Sequence, residues 1–100
     1  MSLTLCVLLW PRPGEEHALV AYEDRVLQLL SDHGGKVLQR VRGDGTKGQP
    51  LEVQLLEFPT AEALDRYMSD ERRTSRAAER DQAIARTEVI EVQVLQPSVR

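Results

Sequence analysis

The sequence predicts an α+β domain of element order strand, helix, strand, strand, helix, strand, with four strands in one antiparallel sheet ordered 4-1-3-2. Three observations predict it. Short apolar runs alternate with segments whose apolar residues recur every three or four positions. Pro11, Gly34, Pro59 and Pro97 stand where those patterns change. The first run is apolar on both faces, the mark of a central strand in a sheet covered on both sides.

Ser2 to Trp10 is the first strand, because it is short, rich in Leu and Val, and followed by Pro11 and Pro13. Leu3, Leu5, Val7 and Leu9 point one way, and Cys6, Leu8 and Trp10 the other, with Thr4 the polar exception. Gly14 to His33 follows as a helix. Leu19, Tyr22, Val26, Leu29, Leu30 and His33 form its apolar side, opposite Glu16, Glu23, Asp24 and Gln28. Gly34 supplies the left-handed residue that stops it. Lys36 to Arg42 is the second strand, Gly43 to Pro50 a turn-rich loop, and Leu51 to Phe58 the third strand. Thr60 caps a helix over Ala61 to Met68, and a second helical segment, Asp70 to Arg86, continues after a bend at Ser69. Thr87 to Leu95 closes the chain as a strand in which Ile90, Val92 and Val94 alternate with Glu91 and Gln93. Right-handed crossovers in both strand-helix-strand units then place the first and third strands centrally, with both helices on one face.

The composition bounds the function. A chain of 100 residues, 41% apolar and 29% charged, is read as one domain over 1–100, able to bury roughly 65% of its unfolded surface. Leu3 to Trp10 is too short to cross a membrane, and it lacks the flanks of a leader peptide. A net charge of −3 argues against nucleic acid as a partner. One cysteine, Cys6, fits a reducing cytoplasm.

Two helices cover one side of the predicted sheet. The other side is expected to present Cys6, Leu8, Trp10, Leu56 and Phe58, with polar Thr4, Gln54, Glu91 and Gln93 among them. Such a patch calls for a partner, and the simplest is a second copy packed sheet to sheet in a twofold dimer. The scattered polar residues suggest a cavity enclosed between the two sheets.

Three stretches carry a family resemblance. His33-Gly34-Gly35-Lys36-Val37-Leu38-Gln39-Arg40 resembles the second strand of the DUF1330 family. Leu56-Glu57-Phe58-Pro59-Thr60-Ala61-Glu62-Ala63 is similar to its third-strand junction, and Tyr67-Met68-Ser69-Asp70-Glu71 to the continuation. The resemblance spans roughly residues 15 to 95 and implies a ferredoxin-like dimeric α/β barrel, with no settled activity. It departs where Asp70 replaces a usual proline, Arg72 a usual aromatic residue, and the loop after the first strand is long and double-proline. The wider superfamily includes cofactor-independent monooxygenases, haem-degrading enzymes and isomerases. The Asn-Trp-His arrangement of the haem-degrading members cannot be assembled here, because the chain has no asparagine.

Other motifs carry less. Gly43-Asp44-Gly45-Thr46-Lys47-Gly48 spells G-x-G-x-x-G, but a strand follows where a dinucleotide site needs a helix, so it reads as a hairpin loop. His17, His33 and Cys6 have no ligand-pair spacing, so neither metal nor cofactor is expected. Cys6 reads as a small apolar residue. Arg72, Arg76 and Arg80 form a helical stripe, and together with Arg73 they are balanced by Asp70, Glu71, Glu79 and Asp81, the pattern of a solvated face. Arg40 and Glu57 are charges within apolar strands, and strand parity decides which of them faces the cavity.

The candidate cavity residues are therefore Cys6, Leu8, Trp10, Arg40, Gln54, Leu56, Glu57 and Phe58. Three functions stay open: a homodimer binding a small organic molecule, a cofactor-independent enzyme of monooxygenase or isomerase type, and a structural or regulatory dimer. A ligand needs a pocket of several hundred cubic ångströms. An enzyme further needs a titratable group within it whose pKa is displaced.

Overall fold

The strand β1 (Leu3–Pro11) runs through the middle of a four-stranded antiparallel sheet in the computed structural model, which describes residues 2–95. On one side it pairs with β3 (Glu52–Phe58) and on the other with β4 (Ile84–Val92), while β2 (Lys36–Arg42) completes the sheet beyond β3. The order β2-β3-β1-β4 is the predicted 4-1-3-2 arrangement read from the opposite edge. Between β1 and β2 stands α1 (Glu16–Leu27), followed by a 3-10 turn, Leu30–His33. Between β3 and β4 stand α2 (Ala61–Met68), the single turn α3 (Glu71–Thr74) and α4 (Ala77–Ala83).

The core lies between these helices and one face of the sheet. Leu5, Val7 and Leu9 of β1 and Leu56 and Phe58 of β3 meet Leu19, Tyr22 and Val26 of α1, with Ala63 and Tyr67 of α2 beside them. Local chemistry shapes each junction. The Thr60 hydroxyl accepts from the Ala63 N–H at 3.0 Å and starts α2. Asp70 does the same for α3, accepting from the Arg72 N–H at 2.9 Å, which accounts for a carboxylate where the resembling family has proline. Gly34, at φ 74°, ends the 3-10 turn, and Gly35 sends its N–H back to the Leu30 carbonyl at 2.9 Å.

The expected first helix is shortened. Its last turn tightens at Gln28, and the Leu29 N–H bonds the Val26 carbonyl, which swings Leu30 into the core. The expected Asp70–Arg86 helix is broken between Thr74 and Ala77, and β4 begins at Ile84 because that side chain is buried opposite Pro11. Pro97 lies outside the described residues.

Strand parity corrects the expected open face. Residues directly opposite in an antiparallel pair share a face. Leu5 faces Leu56 and Glu91, Val7 faces Gln54, and Leu9 faces Glu52, all on the helix side. Leu56, Phe58, Gln54 and Glu91 therefore do not belong to the open face. That face carries Thr4, Cys6, Leu8 and Trp10 of β1, Val53, Leu55 and Glu57 of β3, Arg86, Glu88, Ile90 and Val92 of β4, and Lys36 of β2. Its centre, Cys6, Leu8, Val53, Leu55 and Ile90, is apolar, with charged residues toward its ends, and the chain is only 17 Å thick across its short axis. No helix among the described residues is long and apolar enough to cross a membrane.

Candidate functional site

A cavity of about 460 Å3 lies on the helix side of the sheet, not on the open face. Its walls are Leu5, Val7, Leu56 and Phe58 from the sheet, and Val26, Leu27, Leu64 and Tyr67 from α1 and α2. Exposed Met68 and Val89 stand at its rim. The volume falls within the range of small-molecule pockets.

Two buried polar side chains, Glu23 and Gln54, line this space, and a third, Glu52, stands behind them. Glu52 of β3 is 0% exposed, Gln54 of β3 1% and Glu23 of α1 6%. The Gln54 amide nitrogen donates to Glu23 Oε1 and to Glu52 Oε2, each at 2.8 Å. Both of its hydrogens are thereby used, which fixes the amide plane. Behind it, Arg40 Nε donates to Glu52 Oε2 at 2.5 Å, and Arg42 donates to Glu52 Oε1 at 3.3 Å. Arg40 also reaches Asp24 Oδ1 at 2.7 Å. The buried Glu52 is thus fully paired, as a charge there must be.

Glu23 is different. Among the described residues no donor reaches its Oε2, and the side chain lines the cavity. Burial raises its pKa, the Gln54 hydrogen bond opposes that, and the nearby Glu52 charge adds to it. Tyr67, whose hydroxyl donates to the Val26 carbonyl at 3.2 Å, is pushed up to about 12 by burial. Such a phenol stays protonated and serves as packing. Glu23 is the group in this cavity placed to exchange a proton.

The eight residues singled out by sequence divide between the two faces. Arg40, Gln54, Leu56 and Phe58 lie on the helix side, where Gln54, Leu56 and Phe58 line the cavity and Arg40 braces Glu52 behind it. Cys6, Leu8, Trp10 and Glu57 lie on the open face, away from that cavity. Trp10 donates its indole N–H to the Gly48 carbonyl at 2.9 Å, with the Arg86 guanidinium 4.2 Å above its ring. It thereby pins the loop Gly43–Gly48, which joins β2 to β3 as a hairpin connection. Glu57 has the Lys36 ammonium 3.9 Å away.

Glu23 is the residue that the sequence reading placed on the solvent side. A signal for the correct placement was present: Glu23 stands four residues after Leu19 and three before Val26, both buried. The arginine stripe also dissolves. Arg72 pairs with Asp70 and Asp32, and Arg76 with Glu79, whereas Arg80 turns toward the cavity together with Arg73. Among the described residues no three of His, Cys, Asp and Glu converge as a metal site.

No known family profile matches the chain, and no curated protein does. Solved structures do resemble it. A protein of unknown function from Rhodopseudomonas palustris superposes with a TM-score of 0.77 at 19% identity, covering 96% of this chain and 84% of the other. A candidate antibiotic biosynthesis monooxygenase from Bacteroides thetaiotaomicron gives 0.70 at 16% identity, covering 99% and 94%. A dimeric protein of unknown function and ferredoxin-like fold from Bacteroides fragilis gives 0.68 at 8% identity, covering 93% and 96%. At these identities the likeness concerns the backbone alone, and it assigns the chain the ferredoxin-like fold.

Proposed function

We propose that this chain is a cofactor-independent enzyme that transfers a proton to or from a small organic molecule held between its helices and its sheet. The observation that carries the reading is Glu23: a buried carboxyl, one oxygen held by Gln54 and the other open to an apolar cavity. A carboxyl with a raised pKa is a stronger base when ionised and remains a usable acid nearer neutrality. In the proposed step the proton of an acidic C–H or O–H passes to Glu23 Oε2, and the electron pair stays on the ligand as an enolate or phenolate. Return of the proton to another atom completes an isomerisation. An anion of that kind is also able to pass electrons to dioxygen, and this is the monooxygenase alternative, favoured by the name of the Bacteroides thetaiotaomicron neighbour.

The working unit in this proposal is a cytoplasmic homodimer of one domain per chain, joined through the open face of Cys6, Leu8, Leu55 and Ile90. Its support is the apolar centre of a sheet surface that no helix covers among the described residues and one structural neighbour described as dimeric. The three motifs around Gly34, Pro59 and Ser69 favour the DUF1330 group within this fold. A structural dimer with a filled interior accords less well with a cavity of about 460 Å3.

Hydrogen–deuterium exchange of a simple ketone bearing an aromatic ring, such as 2-tetralone, whose α C–H keeps its proton at neutral pH, followed by proton NMR, tests the reading. The wild-type chain is expected to accelerate exchange of the acidic C–H. Glu23→Gln is expected to slow it by roughly 10²- to 10⁴-fold, the usual contribution of a general base. Equal rates for the two proteins would refute the role of Glu23.

A further inference from the structure

The same cavity holds two guanidinium groups, Arg73 of α3 and Arg80 of α4. Among the described residues neither is in an ion pair, although their neighbours are: Arg72 meets Asp70 and Asp32, and Arg76 and Arg25 meet Glu79. Arg80 donates to the Thr87 hydroxyl at 2.7 Å. The Arg73 guanidinium stands 5.2 Å from the centre of the Tyr67 ring and reaches the Met68 carbonyl at 3.4 Å. Its Nε is buried without any hydrogen-bond partner, the one side-chain polar atom so placed among the described residues. A buried donor left unmet is costly and rare in a finished structure. The Arg73 cation thus has no carboxylate of its own among the described residues, and it lines the cavity, where a ligand in reach of its other nitrogens is able to supply one.

We propose that Arg73, assisted by Arg80, forms an anion-binding end of the cavity, and that the ligand is a small apolar acid: one carboxylate on a hydrocarbon or aromatic body. The planar fork of a guanidinium matches the two oxygens of a carboxylate. Leu5, Val7, Val26 and Leu64 offer the surface for the apolar body. The lining is mostly apolar, so an anion that carries a hydrocarbon body fits it better than inorganic phosphate. The inference rests on the cavity being a ligand site, but not on Glu23 moving a proton.

Isothermal titration of the full chain with phenylacetate, phenylacetamide and inorganic phosphate tests it, using wild type, Arg73→Met and, as a control, Arg72→Met. Phenylacetate is expected to bind wild type and Arg72→Met roughly 10- to 100-fold more tightly than phenylacetamide, the value of a charge-assisted hydrogen bond. Arg73→Met is expected to lose that preference while still binding the amide, which also shows that it is folded. Equal affinity of wild type for acid and amide would overturn the anion site and leave the cavity reading standing. Phosphate binding as tightly as phenylacetate would overturn the apolar acid as the ligand. Binding of none of the three would overturn both readings.

Discussion

Replacing Gln54 by Leu removes the amide that holds two buried carboxyl groups in place. Gln54 is 1% exposed, and its nitrogen donates to Glu23 and Glu52 at 2.8 Å each. A hydrogen bond to a charged group contributes about 1.5 to 3 kcal/mol, and two are lost. The apolar side chain of Leu returns about 1 kcal/mol through burial. The net loss is therefore about 2 to 5 kcal/mol, a large share of the roughly 5 to 15 kcal/mol that holds a domain of this size together. Urea unfolding at neutral pH and fixed protein concentration measures it. The double variant Gln54→Leu, Glu23→Gln separates the causes, because with one carboxylate gone the two changes are expected to cost less than their sum. A loss below about 1 kcal/mol for Gln54→Leu, or strict additivity in the double variant, would refute the coupling of Gln54 to Glu23.

Glu23→Gln is expected to unfold at higher urea than wild type at neutral pH. Burial raises the folded-state pKa, so between the ordinary glutamate value and the raised one the native chain keeps a proton that the unfolded chain has released, and above both it carries the cost of a buried charge. This contribution is fully present below the ordinary glutamate value and is lost as pH rises through the raised one, at no more than about 1.4 kcal/mol per pH unit. Glu52, Arg40 and Arg73, which also face Glu23, are common to both proteins, so urea midpoints across pH isolate the one group. Leu8→Asp sets a carboxylate on the open face between Val53 and Glu88. Light scattering is expected to give the mass of one 11.3 kDa chain, and an undiminished dimer mass would exclude that face as the interface. Gly34→Ala is expected to cost more than Gly14→Ala in thermal unfolding. Both have positive φ, worth about 1 to 2 kcal/mol, but only at Gly34 does a new Cβ meet the Pro59 ring, at 3.0 Å.

Element order, sheet order and the double-sided β1 were all readable, because they follow from apolar spacing and from proline and glycine positions. The site was not. On β3 the helix-side residues are Glu52, Gln54, Leu56 and Phe58, and the open-side residues Val53, Leu55 and Glu57. Each face mixes polar and apolar residues, so alternation does not choose between them. The same holds for Glu23, which a helical wheel assigns to water because it is charged, although Gln54 makes its burial tolerable. Arg73 and Arg80 were hidden by the break between Thr74 and Ala77, which no glycine or proline announces. Cavity polar groups disobey the pattern from which a fold is read, and that is why they were missed.

The proposed proton transfer requires Glu23 to be a buried carboxyl open to the cavity. Its titration, followed by the 13C shift of the side-chain carboxyl in glutamate-labelled protein with Glu23→Gln used to assign the signal, tests this most directly. A midpoint above the ordinary glutamate value of about 4.3 is expected. A midpoint at or below that value would mean a solvated or ion-paired carboxylate, and would contradict the proposed site.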